Sequence, residues 1–134
     1  MEQRKSRAAF DSNLRKLIPT IVSEFPKLEA GEPYHFDHWA DDRSGSTCLY
    51  YWFTSHDGVK RNNKRVLVSE VHAALQHLLS AGVFDRNSFR TCCPRSESSG
   101  RCGFVVVGRV LEALGVATYF GREKGFVKPA SLAG

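Results

Sequence analysis

The chain predicts a single compact α+β domain, with an N-terminal amphipathic helix, a small antiparallel sheet and a helix-rich C-terminal half. Three observations lead there. Of the 134 residues, 42% are hydrophobic and 25% charged, close to globular averages and far from the composition that keeps chains disordered. A chain of that length buries well over half of its unfolded surface around one core. Helical and strand spacings of apolar residues succeed one another, with no internal repeat, low-complexity segment or Gly/Ser-rich linker between them.

The clearest element comes first. Phe10, Leu14, Leu17, Ile18, Ile21, Val22 and Phe25 follow the rhythm of one helix face. Asp11, Arg15, Lys16 and Glu24 fall on the other side, and Pro26 stops the helix. An interior Pro19 removes a hydrogen bond and clashes one turn back, so a kink or break is expected there. Residues 27–46 mix Pro, Gly, Asp and aromatics without a sustained period and read as a long connection with room for one short helix. Residues 47–55 are β-branched and aromatic and read as a strand, with Asp57-Gly58 as the turn signal after it. Leu49, Tyr51 and Phe53 share one face of that strand; Cys48, Tyr50, Trp52 and Thr54 share the other.

A basic loop, residues 60–65, leads into a short paired strand over 66–68. Ser69 is placed to cap the next helix, with Glu70 in its first turn, Val71, Leu75, Leu78 and Leu79 at helical spacing, and Gly82 at its end. Asp85 is placed to cap a brief helix through Arg90 to about Cys92, cut off by Pro94, and residues 95–100 form a polar loop. Phe104, Val107, Leu111 and Leu114 align as a helix ending at Gly115. Because Val105 to Val107 are β-branched and Gly108 disfavours helix, a strand to Val107 with a short helix after it stays open. Residues 116–120 and 126–128 pair as a hairpin around residues 121–125, and the last residues form a frayed tail.

Several function classes are excluded by what is missing. Residues 2–7 are polar, with no unbroken apolar core and cleavage site after them, and no run of about 18 apolar residues occurs. A soluble, cytoplasmic protein with no membrane partner is therefore expected. In that compartment Cys48, Cys92, Cys93 and Cys102 read as free thiols rather than a disulfide framework. There is no P-loop, Rossmann glycine fingerprint or nucleophile elbow, so no cofactor is expected and binding is favoured over catalysis.

Charge points to a partner. Residues 1–59 hold 7 Lys/Arg against 9 Asp/Glu, and residues 60–134 hold 12 against 5. Clustered Lys and Arg displace condensed counterions from phosphate backbones, so a basic half beside a mildly acidic one suggests a polyanion. The order from Ser69 onward, helix, short helix, helix and a hairpin with a basic tip, resembles the winged helix-turn-helix superfamily over residues 69–128. The most suggestive piece is Arg109-Val110-Leu111-Glu112-Ala113-Leu114-Gly115-Val116 running into the hairpin. The resemblance implies nucleic-acid binding, DNA or RNA, with Arg86 and Arg90 at the second helix, Arg101 and Arg109 on the third, and Arg122 and Lys124 on the wing. The third helix carries no Asn or Gln to read adenine, so backbone binding is implied rather than base-specific recognition.

Tyr50 and Trp52 with Lys60, Arg61, Lys64 and Arg65 add a second neighbourhood suited to unpaired nucleic acid, aromatics stacking bases while cations follow phosphates. The plainer expectation for the two aromatics is burial beneath the N-terminal helix. A protein-interaction module on the same scaffold is the alternative to nucleic-acid binding, and a small metal-assisted hydrolase or nuclease comes third. For the latter, His35, Asp37, His38, Asp41 and Asp42 crowd together without completing a metal motif, and Cys92, Cys93 and Cys102 are spaced badly for zinc. His72 and His77, five positions apart, do not share a helix face.

Overall fold

The computed structural model describes residues 2–55 and 57–130, residues 2–7 by their backbone alone; the expected tail lies outside them. Helix α1 (Glu2–Leu17) stops just before the cis Ile18-Pro19 bond and is not merely kinked. Phe10, Leu14 and Ile18 are buried, whereas Ile21, placed on the same face by its spacing, is 76% exposed. Phe25 belongs instead to a two-residue strand, β1 (Glu24–Phe25). The stretch expected as a connection contains a full strand, β2 (Tyr34–Asp41).

Strand β3 (Thr47–Thr54) lies where expected. The expected basic loop is itself extended: β4 (Arg61–Leu67) includes it and runs directly into α2 (Val68–Ala81). These strands form one antiparallel sheet in the order β1-β2-β3-β4. Because no loop separates β4 from α2, Leu67 rather than Ser69 occupies the cap, without a side-chain hydrogen bond. Gly82, at φ +84°, ends α2 in the left-handed conformation that glycine tolerates.

After α2 come β5 (Val83–Phe84), α3 (Arg86–Cys92), α4 (Pro94–Ser99), α5 (Gly103–Ala113), β6 (Thr118–Tyr119) and β7 (Phe126–Val127). Asp85 caps α3 by accepting from the Ser88 N–H at 2.9 Å. Pro94 does not only end α3; it starts α4, where a loop was expected, since a proline at the first helical position loses no hydrogen bond. Glu70 of α2 holds that start, accepting from the N–H groups of Arg95 and Ser96 and from the Ser96 hydroxyl. Ser96 and Ser99 in turn accept from the Leu67 and Arg65 N–H groups, so α4 covers the outer edge of β4, which would otherwise be a free strand edge.

The helix over 103–113 decides the open alternative against a strand at Val107. Nearly all of α5 is buried, and packing on several sides outweighs β-branched propensity. The hairpin folds back so that β7 lies between β5 and β6 in a second antiparallel sheet. One continuous core takes Leu14 and Ile18 from α1, Leu49 and Tyr51 from β3, Leu78 from α2, and Phe84, Phe89, Phe104 and Phe126 from the C-terminal half. No helix among the described residues is long and apolar enough to cross a membrane.

Candidate nucleic-acid interface

The main core covers one face of the four-stranded sheet; the other face is buried at one end, at Cys48 and Leu67. Leu49 and Tyr51 point inward with Val66. On the other face the register sets Tyr50 opposite Arg65, Trp52 opposite Asn63 and Thr54 opposite Arg61, with His35 beside Trp52 and His38 beside Tyr50. A bulge between Phe36 and His38 is what lets both histidines share this face although they lie three apart in sequence. Tyr50 and Trp52 are half-buried rather than core, so their expected burial under α1 does not occur. Helix α1 packs elsewhere: Phe10 meets His72 of α2 edge-on, and Ile18 accepts from the Trp39 indole N–H on the opposite sheet face.

The outward rings are stacked. His35 lies on Trp52 with centroids 4.3 Å apart, and His38 on Tyr50 at 4.6 Å with planes within 1°. The Arg61 guanidinium sits over the Trp52 ring, 4.4 Å from its centroid. It is held there by Asp37, the bulge residue, which also accepts from Asn63 Nδ2 and pairs with His38 Nδ1. Farther along the face, Asp42 accepts from Arg95 at 2.6 Å and lies 3.9 Å from Arg65. Hydrogen bonds from the Ser44 hydroxyl and the Ser46 N–H, with Arg95 nearby, bring the Asp42 carboxyl down to about 2.

The nominated cations divide among several places. Arg61 and Arg65 share the aromatic face, and Lys60 precedes it at the hairpin. Lys64 pairs with Tyr51 on the opposite face, its stem running past Gly100. Arg90 pairs with Glu97 at 3.3 Å, and Arg101 is exposed beyond α4. Arg109 is structural: its guanidinium donates to the Pro26 and Lys27 carbonyls and to Glu112. With α5 otherwise buried, that helix has no free surface to lay in a groove. Arg122 on the hairpin pairs with Glu29, and Lys124 covers Phe120.

A cleft of about 630 Å³ opens between the β1–β2 connection, α3, the start of α5 and the hairpin, lined by Lys27, Glu29, Tyr34, Arg86, Tyr119 and Arg122 among others. Sequence reasoning nominated Arg86 and Arg122 but missed Lys27 and Tyr34, which come from a segment with no periodic signal, and Tyr119, whose strand it read without assigning that side chain a role. It weighed His35, Asp37 and His38 only as metal ligands, and missed Asn63 and Arg95.

The cysteines do not converge. Burial, then the nearby Glu70 carboxylate, pushes the Cys93 thiol far up, and its S–H donates to the Glu70 carbonyl. Cys102 Sγ lies 3.1 Å from the Tyr51 hydroxyl. Among the described residues no three His, Cys, Asp or Glu side chains are grouped to hold a metal ion. No protein family, curated protein or solved structure matches the chain, and the chemistry of the site rests on its own geometry.

Proposed function

We propose that the protein binds nucleic acid, taking unpaired bases on the outer face of the four-stranded sheet and phosphates on the cations around it. The observation that carries this is Trp52, an outward indole that already stacks an imidazole and a guanidinium. The same π surface accepts a base, and base–aromatic stacking is worth about 1–3 kcal/mol per base. A base that replaces Arg61 over Trp52 frees that guanidinium for a phosphate, so stacking and phosphate contact are coupled in one movement. Tyr50 with His38 offers a second stacking position, next to Arg65.

A single strand suits this geometry better than a duplex, whose bases are not available to stack. The winged helix-turn-helix likeness gains support from the order α2, α3, α5 and the β6–β7 hairpin, while the inserted α4 and the burial of α5 depart from a helix that enters a groove. A protein partner, the alternative, would use contiguous apolar surface. Among the described residues the exposed large apolar side chains, Ile21, Val59, Leu79 and Phe120, come from four separate segments of the chain.

Fluorescence anisotropy with labelled single-stranded DNA, single-stranded RNA and duplex DNA at about 50–300 mM salt tests the proposal. Single strands should bind more tightly than duplex. Trp52→Ala should weaken them by about 5- to 100-fold, and Arg61→Glu should weaken them more than Lys64→Glu, on the opposite face. No binding to any probe at the lowest salt, or full affinity in Trp52→Ala, would overturn it.

A further inference from the structure

We propose that the cleft between the β1–β2 connection, α3 and the hairpin is a binding site for a phosphomonoester, separate from the aromatic sheet face. Its volume, about 630 Å³, falls within the range of small-ligand pockets. Three cations, Lys27, Arg86 and Arg122, line it against one carboxylate, Glu29. That surplus of two positive charges matches a phosphate dianion.

The cations are presented rather than consumed. Lys27 has no carboxylate partner among the described residues; its ammonium lies over the Tyr34 ring, 5.4 Å from the centroid. Arg86 has none either. Its guanidinium rests on Phe104 at 4.8 Å, and its one side-chain hydrogen bond among the described residues, to the Arg101 carbonyl, is stretched to 3.5 Å. Aromatic contacts orient a cation without neutralising it, so both keep their charge for an anion. The Tyr34 hydroxyl also lacks a hydrogen-bond partner among the described residues, and burial, chiefly, keeps it a protonated donor.

The third cation is held in reserve. Arg122 pairs with Glu29 across the rim, with side chains 81% and 64% exposed. A pair that exposed contributes little to stability, and a phosphate can take the place of Glu29 cheaply. The cleft is much larger than a phosphate, and Phe104, Tyr119 and Leu28 give it apolar walls. The ligand is therefore a phosphate carrying an organic body, either a small molecule or the 5′ end of a nucleic-acid strand.

Calorimetric titration of the full chain with adenosine 5′-monophosphate and with adenosine separates the phosphate from the body, and 5′-phosphorylated against 5′-hydroxyl single-stranded DNA separates the two sources. In at least one pair the phosphorylated probe should bind about tenfold or more tightly than its partner, the scale of charge-assisted hydrogen bonds. Preference within the nucleotide pair assigns a small molecule, and preference within the oligonucleotide pair alone assigns a strand end. Arg86→Gln should remove the preference and Glu29→Gln should strengthen it, while Lys16→Gln, on α1 and outside the cleft, should leave it unchanged. Equal binding within both pairs, or a preference that survives Arg86→Gln in a protein with native circular dichroism, would overturn the proposal. Because Trp52→Ala leaves the cleft intact, phosphate preference in that variant separates failure of this site from failure of the sheet face.

Discussion

Gly108→Ala sets two physical effects against each other. On helix propensity alone, alanine in the middle of α5 should stabilise the protein by about 1 kcal/mol. Packing opposes it: a Cβ built on Gly108 overlaps Cε2 and Cζ of Phe126. That ring cannot swing aside, because Phe126 is fully buried against Phe104 and Tyr119 and its backbone is paired with both β5 and β6. Relief requires the ring to leave its site, which costs on the scale of losing a core phenylalanine, about 3–5 kcal/mol. Net of propensity, Gly108→Ala should destabilise by about 2–4 kcal/mol. With a urea m-value of about 2 kcal/mol/M, the midpoint should fall by about 1–2 M. The cost should shrink in a Phe126→Leu background, where Cε2 and Cζ, the two nearest overlapping atoms, are gone. A Gly108→Ala protein as stable as the parent would refute the packing argument.

Two further outcomes follow from the polar network around α4 and the sheet end. Glu70→Ala leaves the Arg95 and Ser96 N–H groups and the Ser96 hydroxyl without their acceptor; the expected loss is about 2–4 kcal/mol, with faster amide exchange in α4, and unchanged α4 protection would contradict it. Asp42 has its folded-state pKa lowered from 3.8 to about 2, so its stabilisation is fully present above about pH 4 and disappears as pH falls through 2. The stability difference between parent and Asp42→Asn, followed by urea unfolding at several pH values, should close over that window; a difference constant from pH 6 to 2 would show that the lowered pKa is not real.

The α+β class and the elements with their own period were legible in the sequence: α2 with its glycine stop, β3, the Asp85 cap of α3 and the closing hairpin. What was not legible depends on partners far along the chain. In β2 the inward residues are Tyr34, Phe36 and Trp39, and the bulge at Asp37 spoils the alternation by which a strand is recognised. Strand β4 has a polar sequence, Arg61-Asn62-Asn63-Lys64-Arg65, and is extended because β3 pairs with it throughout. Helix α4 is Pro-Arg-Ser-Glu-Ser-Ser, and its cap is the side chain of Glu70, more than twenty residues earlier. The same dependence governs the candidate site. Tyr50 and Trp52 were nominated from one strand, but the decision between core and surface was made by α1, which ends at Leu17 and turns to the other face.

Charge counted along the chain misleads for a related reason. The acidic first half and basic second half interleave once folded: Asp37 meets Arg61, Asp42 meets Arg65 and Arg95, and Glu29 meets Arg122. Each acid thus occupies a place a phosphate would take, beside a cation the sequence nominated. The Arg122–Glu29 pair, exposed on both sides, is worth about 0–1 kcal/mol, so displacing that acid costs little; Asp37 and Asp42 are more covered and are displaced less readily. Displacement changes the salt dependence. A phosphate that evicts a carboxylate leaves that carboxylate to gather counterions of its own, so fewer ions are released than the number of cations suggests. Affinity should then fall with salt less steeply than the basic half alone implies. Cations that form no ion pair among the described residues, such as Lys60 beside the sheet face and Lys27 and Arg86 in the cleft, would carry most of the slope that remains.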